Sequence, residues 1–423
     1  VEEIGIFDVH LRDEDFPLIG RAINRAEFAR LLAANPKNNA LAAPELPNLP
    51  DAGEAAEVIE GEVLEPTDEP AEETPSGFGE QVLQAAELIA LKEAYAPNNY
   101  IPPQDPAPPR TPREKFAANI TAIRTLKSIE KRMADGGPHA NGEEQEILAQ
   151  YSGWGGLSDA FEPNKDSWHG EYTELKSLLT EEEYAAARSS TLTAFYTPPA
   201  VIDAMYTALR KMGVGAGTIL EPSMGVGAFF GQSHSYLYEP TTRLFGVELD
   251  SLTGRIARQL YQKANIQITG FEKADLPDSF FDVVIGNVPF GDYSVVDPQY
   301  NRLHFKIHDY FFAKSIDKLR TGGIIAFITT SGTLDKKSEE VRKYINARYD
   351  FIGAVRLPDS TFKSAGTKAM ADIIFLQKRD RILEQDASWL HTTQTEDGLA
   401  LNSYFAEHPE MVCGTLKTVS GPY

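Results

Sequence analysis

The sequence contains very little cysteine and no long apolar run. Cys413 is its only cysteine, which excludes a disulfide framework and a cysteine-based zinc cluster and favours a reducing compartment such as the cytoplasm. No stretch of about 18 apolar residues occurs, so we predict no membrane span. The opening VEEIGIFDVHLRDEDF lacks the basic and apolar regions of a signal peptide and has no initiator methionine. We therefore expect a processed product or a piece of a longer protein.

Positive charge is scarce in the first quarter of the chain. Of the net charge of −22, residues 1–112 contribute −15 (22 acidic, 7 basic) and the remainder −7 (40 acidic, 33 basic). Residues 36–78 are rich in Pro, Glu and Ala and cannot bury enough apolar surface to offset their ordering entropy. We predict that 1–112 is an acidic, Pro-rich, largely disordered segment with one short helix. It is either a solvated spacer or a DNA-mimicking or partner-binding element.

A change of pattern at residue 113 predicts a helical subdomain over residues 113–189. Apolar residues recur at spacings of three and four from Phe116 to Met133, which is typical of one face of an amphipathic helix. A second predicted helix, NGEEQEILAQY, leads into the glycine-rich stretch YSGWGGL, residues 151–157. Trp154 in this stretch either packs into the core at a structural turn or contacts a cofactor or DNA.

Strands and helices alternate over residues 190–385. Continuous apolar runs separated by helices indicate a parallel sheet that is covered on both faces. The predicted strands are 217–222, 243–250, 266–269, 281–286, 324–330, 350–358 and 370–379. A predicted helix over 308–323 ends at a pair of glycines. Residues 386–423 form a C-terminal extension that we expect to be truncated.

Two carboxylates are predicted at neighbouring strand ends. In ILEPSMGVGAFF, a strand ends at Glu221, and Gly225 and Gly227 precede a helix. The pattern is neither G-x-G-x-x-G nor a P-loop, and an acidic residue there suits a cationic ligand better than a pyrophosphate. Glu248 ends the next strand, where a ribose is commonly held. These residues predict a nucleoside cofactor that is cationic and lacks phosphate, such as S-adenosylmethionine. The alternative is that the glycine motif is an ordinary strand–helix turn and that Glu248 is a solvated strand end.

The stretch FDVVIGNVPFG ends a third apolar strand with unusual residues. Asn287 offers an amide oxygen and Val288 a backbone oxygen, while Pro289 fixes its own φ and restricts Val288. Phe290 adds a flat apolar face. Two fixed acceptors beside an aromatic ring suit an exocyclic amino group on a planar base, held for attack on a methyl donor. The alternative is a proline-terminated strand followed by a core phenylalanine.

Together these motifs resemble the N6-adenine DNA methyltransferases, whose signature is N/D-P-P-F/Y/W, in the group whose cofactor motif comes first. The resemblance implies a Rossmann-like class I methyltransferase, α/β with a mostly parallel seven-stranded sheet. It also implies methyl transfer from S-adenosylmethionine to N6 of a flipped adenine in DNA. The catalytic residues that the resemblance implies are Asn287, Val288, Pro289 and Phe290. The cofactor-binding residues that it implies are Tyr196 and Thr197 in FYTPP, together with Glu221, Gly225 and Gly227 at the methionine part of the cofactor. It further implies Glu248 at the ribose, and Phe271 and Glu272, or Asp275, at the adenine.

More closely, residues 113–423 resemble the methylase portion of large phage- and plasmid-borne DNA methylase/helicase proteins, some of which are linked to antirestriction. Val288 replaces the first proline of the usual signature, although only its carbonyl is needed. No helicase motif is present, so a helicase module would lie on another part of the polypeptide. Fewer than 50 residues follow the last predicted strand, which leaves little room for a domain that recognises a target sequence. We therefore expect poorly selective methylation, and we predict no target sequence.

Two other functional classes remain open from the sequence. A glutamine side-chain amide or an RNA base amine also presents a planar NH₂ group, so either could be the methyl acceptor. A non-catalytic, acidic DNA-mimic or antirestriction protein is the third possibility. We predict no metal site, because His304 and His308 are spaced for one helix face but lack a third ligand. A loop with Phe362, Lys363 and Lys368 either approaches DNA or is simply exposed.

Overall fold

The computed structural model describes residues 95–103, 110–191, 196–362, 370–395 and 398–416. The predicted disordered segment therefore lies almost wholly outside the described residues, as do Lys363 and Lys368. The fold described below belongs to the compact unit that contains residues 97–423. Among the described residues, no helix has both the length and the apolar character needed to cross a membrane.

In the described part of the chain, the region up to residue 191 contains four α-helices, of which the sequence predicts the first two, α1 and α2. They are α1 (Pro112–Ala134), α2 (Gly142–Leu148), α3 (His169–Leu178) and α4 (Glu181–Ser190). Helix α1 begins with a capping box, in which Thr111 and Glu114 each accept a hydrogen bond from the other residue's backbone N–H. Its apolar face, from Phe116 to Ile129, is buried, so this region packs as part of the folded unit.

A seven-stranded sheet forms the centre of the molecule in the order β3-β2-β1-β4-β5-β7-β6. Strands β1 to β5 pair in parallel, whereas β7 runs antiparallel to both β5 and β6. The strands are β1 (Thr218–Glu221), β2 (Arg243–Glu248), β3 (Asn265–Ile268), β4 (Phe281–Asn287), β5 (Leu319–Thr330), β6 (Tyr349–Leu357) and β7 (Ala371–Lys378). The predicted seven-stranded, mostly parallel α/β fold is confirmed.

Further helices occur before β1 and between later strands along the chain. They are α5 (Pro199–Lys211), α6 (Ala228–Ser233), α7 (Ser251–Leu260), α8 (Ile307–Lys318), α9 (Gly332–Asp335) and α10 (Glu340–Asn346). Helix α7 packs against β2 and β3, α8 against β5, and α10 against β6. The sheet strands are almost fully buried, which is why their sequences read as continuous apolar runs.

The predicted helix over 308–323 is wrong in its last third. Helix α8 ends at Lys318, and β5 begins at Leu319. Leu319 is fully buried and pairs with Phe281, and regular pairing with β4 resumes at Ile324 after an irregularity. The glycines taken as a helix stop therefore lie within the strand, where Gly322 adopts φ +76°.

The C-terminal extension packs onto the end of the sheet. It contains a hairpin of β8 (Thr392–Gln394) and β9 (Ala400–Asn402), followed by α11 (Ser403–Glu407). Trp389 stacks on Phe351 of β6 with ring centroids 4.6 Å apart. Buried Arg356 binds both carboxylate oxygens of Asp372 and also pairs with Asp335. The Arg356 guanidinium also lies over the Phe405 ring of α11, 4.3 Å from its centroid, so this contact and the Trp389–Phe351 stack attach the extension to the core. The predicted domain boundaries stay a prediction.

Candidate active site at the carboxyl edge of the sheet

The predicted site residues at strand ends come to one edge of the sheet. Strand β1 lies between β2 and β4 and runs parallel to both. Glu221, Glu248 and Asn287 are the last residues of these three strands. Parallel strands present their carboxyl ends at the same edge, which is the usual ligand-binding edge of an open α/β sheet.

Glu221 has an environment that suits a cationic group. Its side chain is 2% exposed, and within the described residues its Oε2 atom has no hydrogen-bond partner. Burial, reinforced by the negative charge of Glu248, raises the pKa of Glu221 well above its usual range. A buried carboxylate without a partner is costly. The ammonium or sulfonium of S-adenosylmethionine would supply the missing positive charge, so this residue fits that cofactor.

Glu248 is held differently from Glu221. The backbone N–H of Gly225 donates to its Oε2 at 2.8 Å, and the N–H of Asp250 donates to its Oε1 at 2.8 Å. Burial raises the pKa of Glu248 to about 7, against the effect of these two donors. Its carboxylate is thus fixed in place and linked directly to the glycine loop that follows β1.

Leu249 is a residue that the sequence reasoning missed. It follows Glu248 directly and is 75% exposed, although it is a large apolar side chain at the ligand edge. Such a surface can cover the face of a planar ring beside a ribose-binding carboxylate. The available signal was an apolar residue between two acidic ones in the sequence ELD.

The glycine loop and Tyr196 pack tightly together. Gly225 and Gly227 adopt φ +55° and +86°, conformations that only glycine adopts easily. A Cβ on Gly225 would lie 3.5 Å from Tyr196 Cε1, and a Cβ on Gly227 would lie 2.4 Å from Tyr261 Cε2. The structure therefore places Tyr196 against the glycine loop, and contact between Tyr196 and the cofactor stays a prediction.

The YSGWGGL stretch also reaches this site. Gly153 has φ +64°, and a Cβ there would lie 3.1 Å from Tyr196 Cε2. Asn119 of α1 fixes the stretch, because its Nδ2 donates to the Gly153 carbonyl at 2.6 Å and its Oδ1 accepts from the Ser152 N–H at 2.8 Å. The sequence reasoning missed Gly153 and Asn119 as site-forming residues, although three clustered glycines were a signal.

Trp154 is a core residue, as one of its two sequence interpretations predicts. It is 1% exposed and packs edge-on against Phe161 with centroids 5.4 Å apart. Its Nε1 and the Tyr151 hydroxyl are both buried without a hydrogen-bond partner in the described part of the chain. Burial, with the nearby charge of Asp250, raises the pKa of Tyr151, so its hydroxyl stays neutral.

We use the name target fork for Asn287–Phe290. The Asn287 carbonyl accepts from Ser223 Oγ at 3.0 Å, and the Val288 N–H donates to the Ile328 carbonyl of β5 at 3.1 Å. The Asn287 side chain is half-buried, and its Nδ2 donates to Thr197 Oγ1 at 3.3 Å. No described residue donates to Asn287 Oδ1, so that oxygen is left to accept a hydrogen bond.

The remaining fork residues have contrasting exposure. The Val288 side chain is 1% exposed, which anchors the fork in the core and leaves its role to the backbone carbonyl. Pro289 is half-buried, and Phe290 is half-buried against the edge of the core. Phe290 therefore keeps part of its ring accessible, as a stacking surface requires.

The residues predicted at the cofactor's adenine lie after β3, mostly facing the protein. Phe271 is 4% exposed, with its ring centroid 5.0 Å from that of Phe311. Lys314 Nζ donates to the Glu272 carbonyl at 3.0 Å, and the Glu272 side chain folds back over Gly270. Asp275 is exposed. Adenine binding by these residues stays a prediction.

Two further observations concern sites outside these motifs. A cavity of about 300 Å³ is lined by the segment that follows the target fork, from Ser294 to Phe305, together with Tyr310 and Ala313, and includes no predicted site residue. His304 has φ +51° and precedes α8, whereas His308 lies within it, so the two do not share a helix face. Over the described ranges, no group of three metal-ligating side chains occurs.

Comparison with known proteins identifies the family. A model of the family "N-6 DNA Methylase" matches residues 178–401, which is more than half of the chain. The chain belongs to this family. N-6 DNA methylases are DNA adenine methyltransferases that use S-adenosylmethionine, and the chain shares this enzyme class and this cofactor.

Individual relatives are more distant. The chain is 26% identical over 295 residues to "Defense against restriction protein B" of Escherichia phage P1, which covers 68% of this chain. The chain spans only about a tenth (11%) of the length of that relative.

Solved structures resemble the chain at low sequence identity and with low TM-scores. A type I restriction-modification methyltransferase subunit from Streptococcus thermophilus is 17% identical, with a TM-score of 0.40 and 78% of each chain covered. A putative class I S-adenosylmethionine-dependent methyltransferase from Listeria monocytogenes is also 17% identical, with a TM-score of 0.39, covering 65% of this chain and 90% of that one.

Proposed function

We propose that the chain transfers a methyl group from S-adenosylmethionine to the exocyclic N6 of adenine in DNA, with the base turned out of the duplex into the target fork. The observation that carries this proposal is the Asn287 amide, whose Oδ1 has no donor among the described residues while its Nδ2 is engaged. It lies at the same sheet edge as Glu221, a buried carboxylate whose Oε2 has no partner. One site thus offers an acceptor for an amine and a counter-charge for a cation.

Five groups at the carboxyl edge would hold the cofactor. Bound S-adenosylmethionine supplies an activated methyl group on a positively charged sulfur. Glu221 provides the negative charge that faces the cationic part, and the glycine loop at Gly225 lets the backbone approach closely. Glu248 accepts hydrogen bonds from the ribose hydroxyls, while Leu249 covers the face of the planar ring next to the ribose. Tyr196 packs beside the glycine loop and closes this side of the site.

The target fork holds the accepting amine. Asn287 Oδ1 and the Val288 carbonyl each accept one N–H of the adenine amino group, which directs the nitrogen lone pair toward the methyl group. The two oxygens also stabilise the positive charge that develops on this nitrogen. Asn287 is not a base at neutral pH, so the proton leaves to water after transfer. Stacking on Phe290 holds the extruded base, with a contribution of about 1–3 kcal/mol.

We further propose DNA as the partner and a longer polypeptide as the working context. The relative from phage P1 is about nine times longer than the matched region, which leaves room for a helicase module outside this chain. Protection of DNA against restriction is the biological role that its printed name suggests. The chain by itself should then methylate with little sequence selectivity, and methylation mapping on plasmid DNA tests this.

The direct test is incubation with methyl-labelled S-adenosylmethionine and DNA that lacks adenine methylation. Nucleoside analysis of the digested DNA should show labelled N6-methyladenine, formed in proportion to time and enzyme. Addition of S-adenosylhomocysteine should suppress the label by competition. Label in another nucleoside, or no label although the cofactor binds, would overturn the proposal.

A further inference from the structure

We propose that Thr197 and Ser223, which belong to the two segments that form the cofactor site, are positioning residues for the target fork. Both contact Asn287: Thr197 at its side chain and Ser223 at its backbone. The inference rests on the proposed function, because positioning matters only if the fork holds an amine. It assigns the Thr197 side chain to methyl transfer rather than to cofactor binding.

An asparagine amide has two nearly isosteric orientations, and only one suits this reaction. With Oδ1 toward the amine, Asn287 accepts one of its N–H groups; with Nδ2 there, two donors face each other. In the structure Nδ2 donates to Thr197 Oγ1 at 3.3 Å, which leaves Oδ1 without a contact to Thr197. Because a threonine hydroxyl can donate or accept, Thr197 holds the amide in place, and the requirement that Oδ1 accept from the amine decides which orientation reacts.

The position of Thr197 fits this role. It is 8% exposed, so water competes little for its hydroxyl, and no other hydrogen bond of its side chain is seen within the described residues. Its neighbour Tyr196 faces Gly225 of the cofactor loop. Pro198 follows and precedes α5, whose inner face is buried. Successive residues of this stiff segment thus face the cofactor loop and the target fork.

Ser223 fixes the backbone from the opposite motif. It lies two residues after Glu221, and its Oγ donates to the Asn287 carbonyl at 3.0 Å. On the other side of the same peptide unit, the Val288 N–H donates to the Ile328 carbonyl at 3.1 Å. The peptide plane is held at both ends, which sets the direction of the chain into the Val288 carbonyl.

The segments that contain Thr197 and Ser223 each contribute to both the proposed cofactor pocket and the target fork, so they can couple the two sites. The segments of Thr197 and Ser223 also contain Tyr196 and Glu221, which line the proposed cofactor pocket. Ordering of these segments by bound S-adenosylmethionine would therefore order Asn287, and the fork would favour an amine when a methyl donor is present.

The test separates turnover from cofactor affinity. Thr197→Val keeps the side-chain shape but removes the hydroxyl, and the loss of one hydrogen bond predicts a kcat about tenfold lower. The dissociation constant for S-adenosylmethionine, measured by calorimetry, should stay within about twofold. Thr197→Ser should restore turnover. Thr191→Val is a matched control, since Thr191 is equally buried at 8% exposure and its hydroxyl donates only to the Arg188 carbonyl of its own helix end.

Two results would overturn the assignment. An unchanged kcat in Thr197→Val would show that the hydrogen bond between Thr197 and Asn287 does not contribute to turnover. A weaker cofactor affinity at unchanged kcat would make Thr197 a cofactor ligand instead. Ser223→Ala should lower kcat in the same way and Ser223→Thr should not.

An activity-independent measurement distinguishes failure of this inference from failure of the proposed function. The side-chain NH₂ signal of Asn287 in a nitrogen–proton correlation spectrum, identified by its absence in Asn287→Ala, should shift in Thr197→Val but not in Thr197→Ser. If the signal shifts while the wild type methylates no adenine, the contact is real and the proposed function is wrong. If the signal is unmoved, the positioning role is wrong whatever the activity.

Discussion

The two halves of the candidate site differ in how they present oxygen. The proposed cofactor half has one buried carboxylate, Glu221, and one half-buried carboxylate, Glu248, at neighbouring strand ends, and desolvation raises the pKa of both. The proposed target half, Asn287–Phe290, contains no ionisable group and offers oxygen only from an amide and the backbone. In the proposed mechanism, this difference places negative charge at the cationic cofactor and neutral dipoles at the amine, which must keep its lone pair free for attack.

The largest expected effect comes from removing the neutral acceptor. Asn287→Ala deletes the amide that aligns the amine, and loss of one preorganised acceptor predicts a methylation rate lower by roughly 10²–10³-fold. The dissociation constant for S-adenosylmethionine should remain near the wild-type value, because the Asn287 side chain has no proposed contact with the cofactor itself. Single-turnover methylation and calorimetry on the same preparation measure the two quantities. Near-normal turnover would remove the fork from the mechanism.

The next largest effect should appear in the cofactor half. Glu221→Gln removes the negative charge without changing the shape, and loss of a charge-assisted contact predicts affinity for S-adenosylmethionine about 10- to 100-fold weaker. Turnover at saturating cofactor should change much less. Glu146→Gln, at an exposed position of α2, is the control for a lost charge. Equal binding by Glu221→Gln and the wild type would contradict the role given to Glu221.

From the raised pKa of Glu248, we predict that cofactor affinity depends on pH. Its pKa of about 7 lies above the value of 4.5 for a free glutamate. Ribose hydroxyls bind the ionised form, so affinity should rise about tenfold per pH unit below pH 7 and level off above it. Calorimetric titrations from pH 6 to 8 measure this.

Glu248 also makes the stability of the free protein depend on pH, with a sign opposite to that of its effect on cofactor affinity. A pKa raised by folding contributes stability below about pH 4.5 that is lost as the pH rises through about 7. Because the pKa of Glu221 is raised as well, Glu248→Gln should reduce this decline and the slope of the binding profile, and the double variant Glu221→Gln with Glu248→Gln should remove both. A binding profile that Glu248→Gln leaves unchanged would assign the titration to another residue.

The smallest expected effect concerns the contribution of the helical region to the cofactor half. Gly153→Ala places a methyl group 3.1 Å from Tyr196 Cε2, so the ring must shift by a few tenths of an ångström. We expect cofactor affinity a few-fold weaker. Gly136→Ala is the matched control, because Gly136 also has positive φ (+82°) but nothing within 4 Å of the added Cβ. Both variants should lose about 1–2 kcal/mol of stability from the left-handed backbone.

Equal cofactor affinity in Gly153→Ala and Gly136→Ala would show that YSGWGGL is only a structural turn. Thermal unfolding with and without S-adenosylmethionine provides both quantities, since ligand stabilisation scales with affinity.

The sequence was informative where local pattern determines structure. Apolar strands ending at Glu221, Glu248 and Asn287 predicted a parallel sheet with these residues at one edge, and the strand pairing confirms it. The end of α8 was mispredicted because the glycines near Gly322 look like a helix stop, while burial of Leu319 against β4 decides the structure.

Tertiary contacts were not predictable in the same way. The hydrogen bond between Thr197 and Asn287 joins residues 90 positions apart, and Asn119 reaches Gly153 across 34 positions. No local periodicity encodes such pairs. The missing partner of Glu221 Oε2 could likewise be seen only once the surrounding side chains were placed.

The central claim is that the target fork accepts the amino group of adenine in DNA, and its most direct measurement is the partition of label among competing acceptors. The chain is incubated with methyl-labelled S-adenosylmethionine and equal masses of unmethylated DNA, RNA and a protein extract. We predict label in the DNA alone, recovered as N6-methyladenine and absent with Asn287→Ala. Label in RNA, or in protein as a methylated glutamine, would contradict the account.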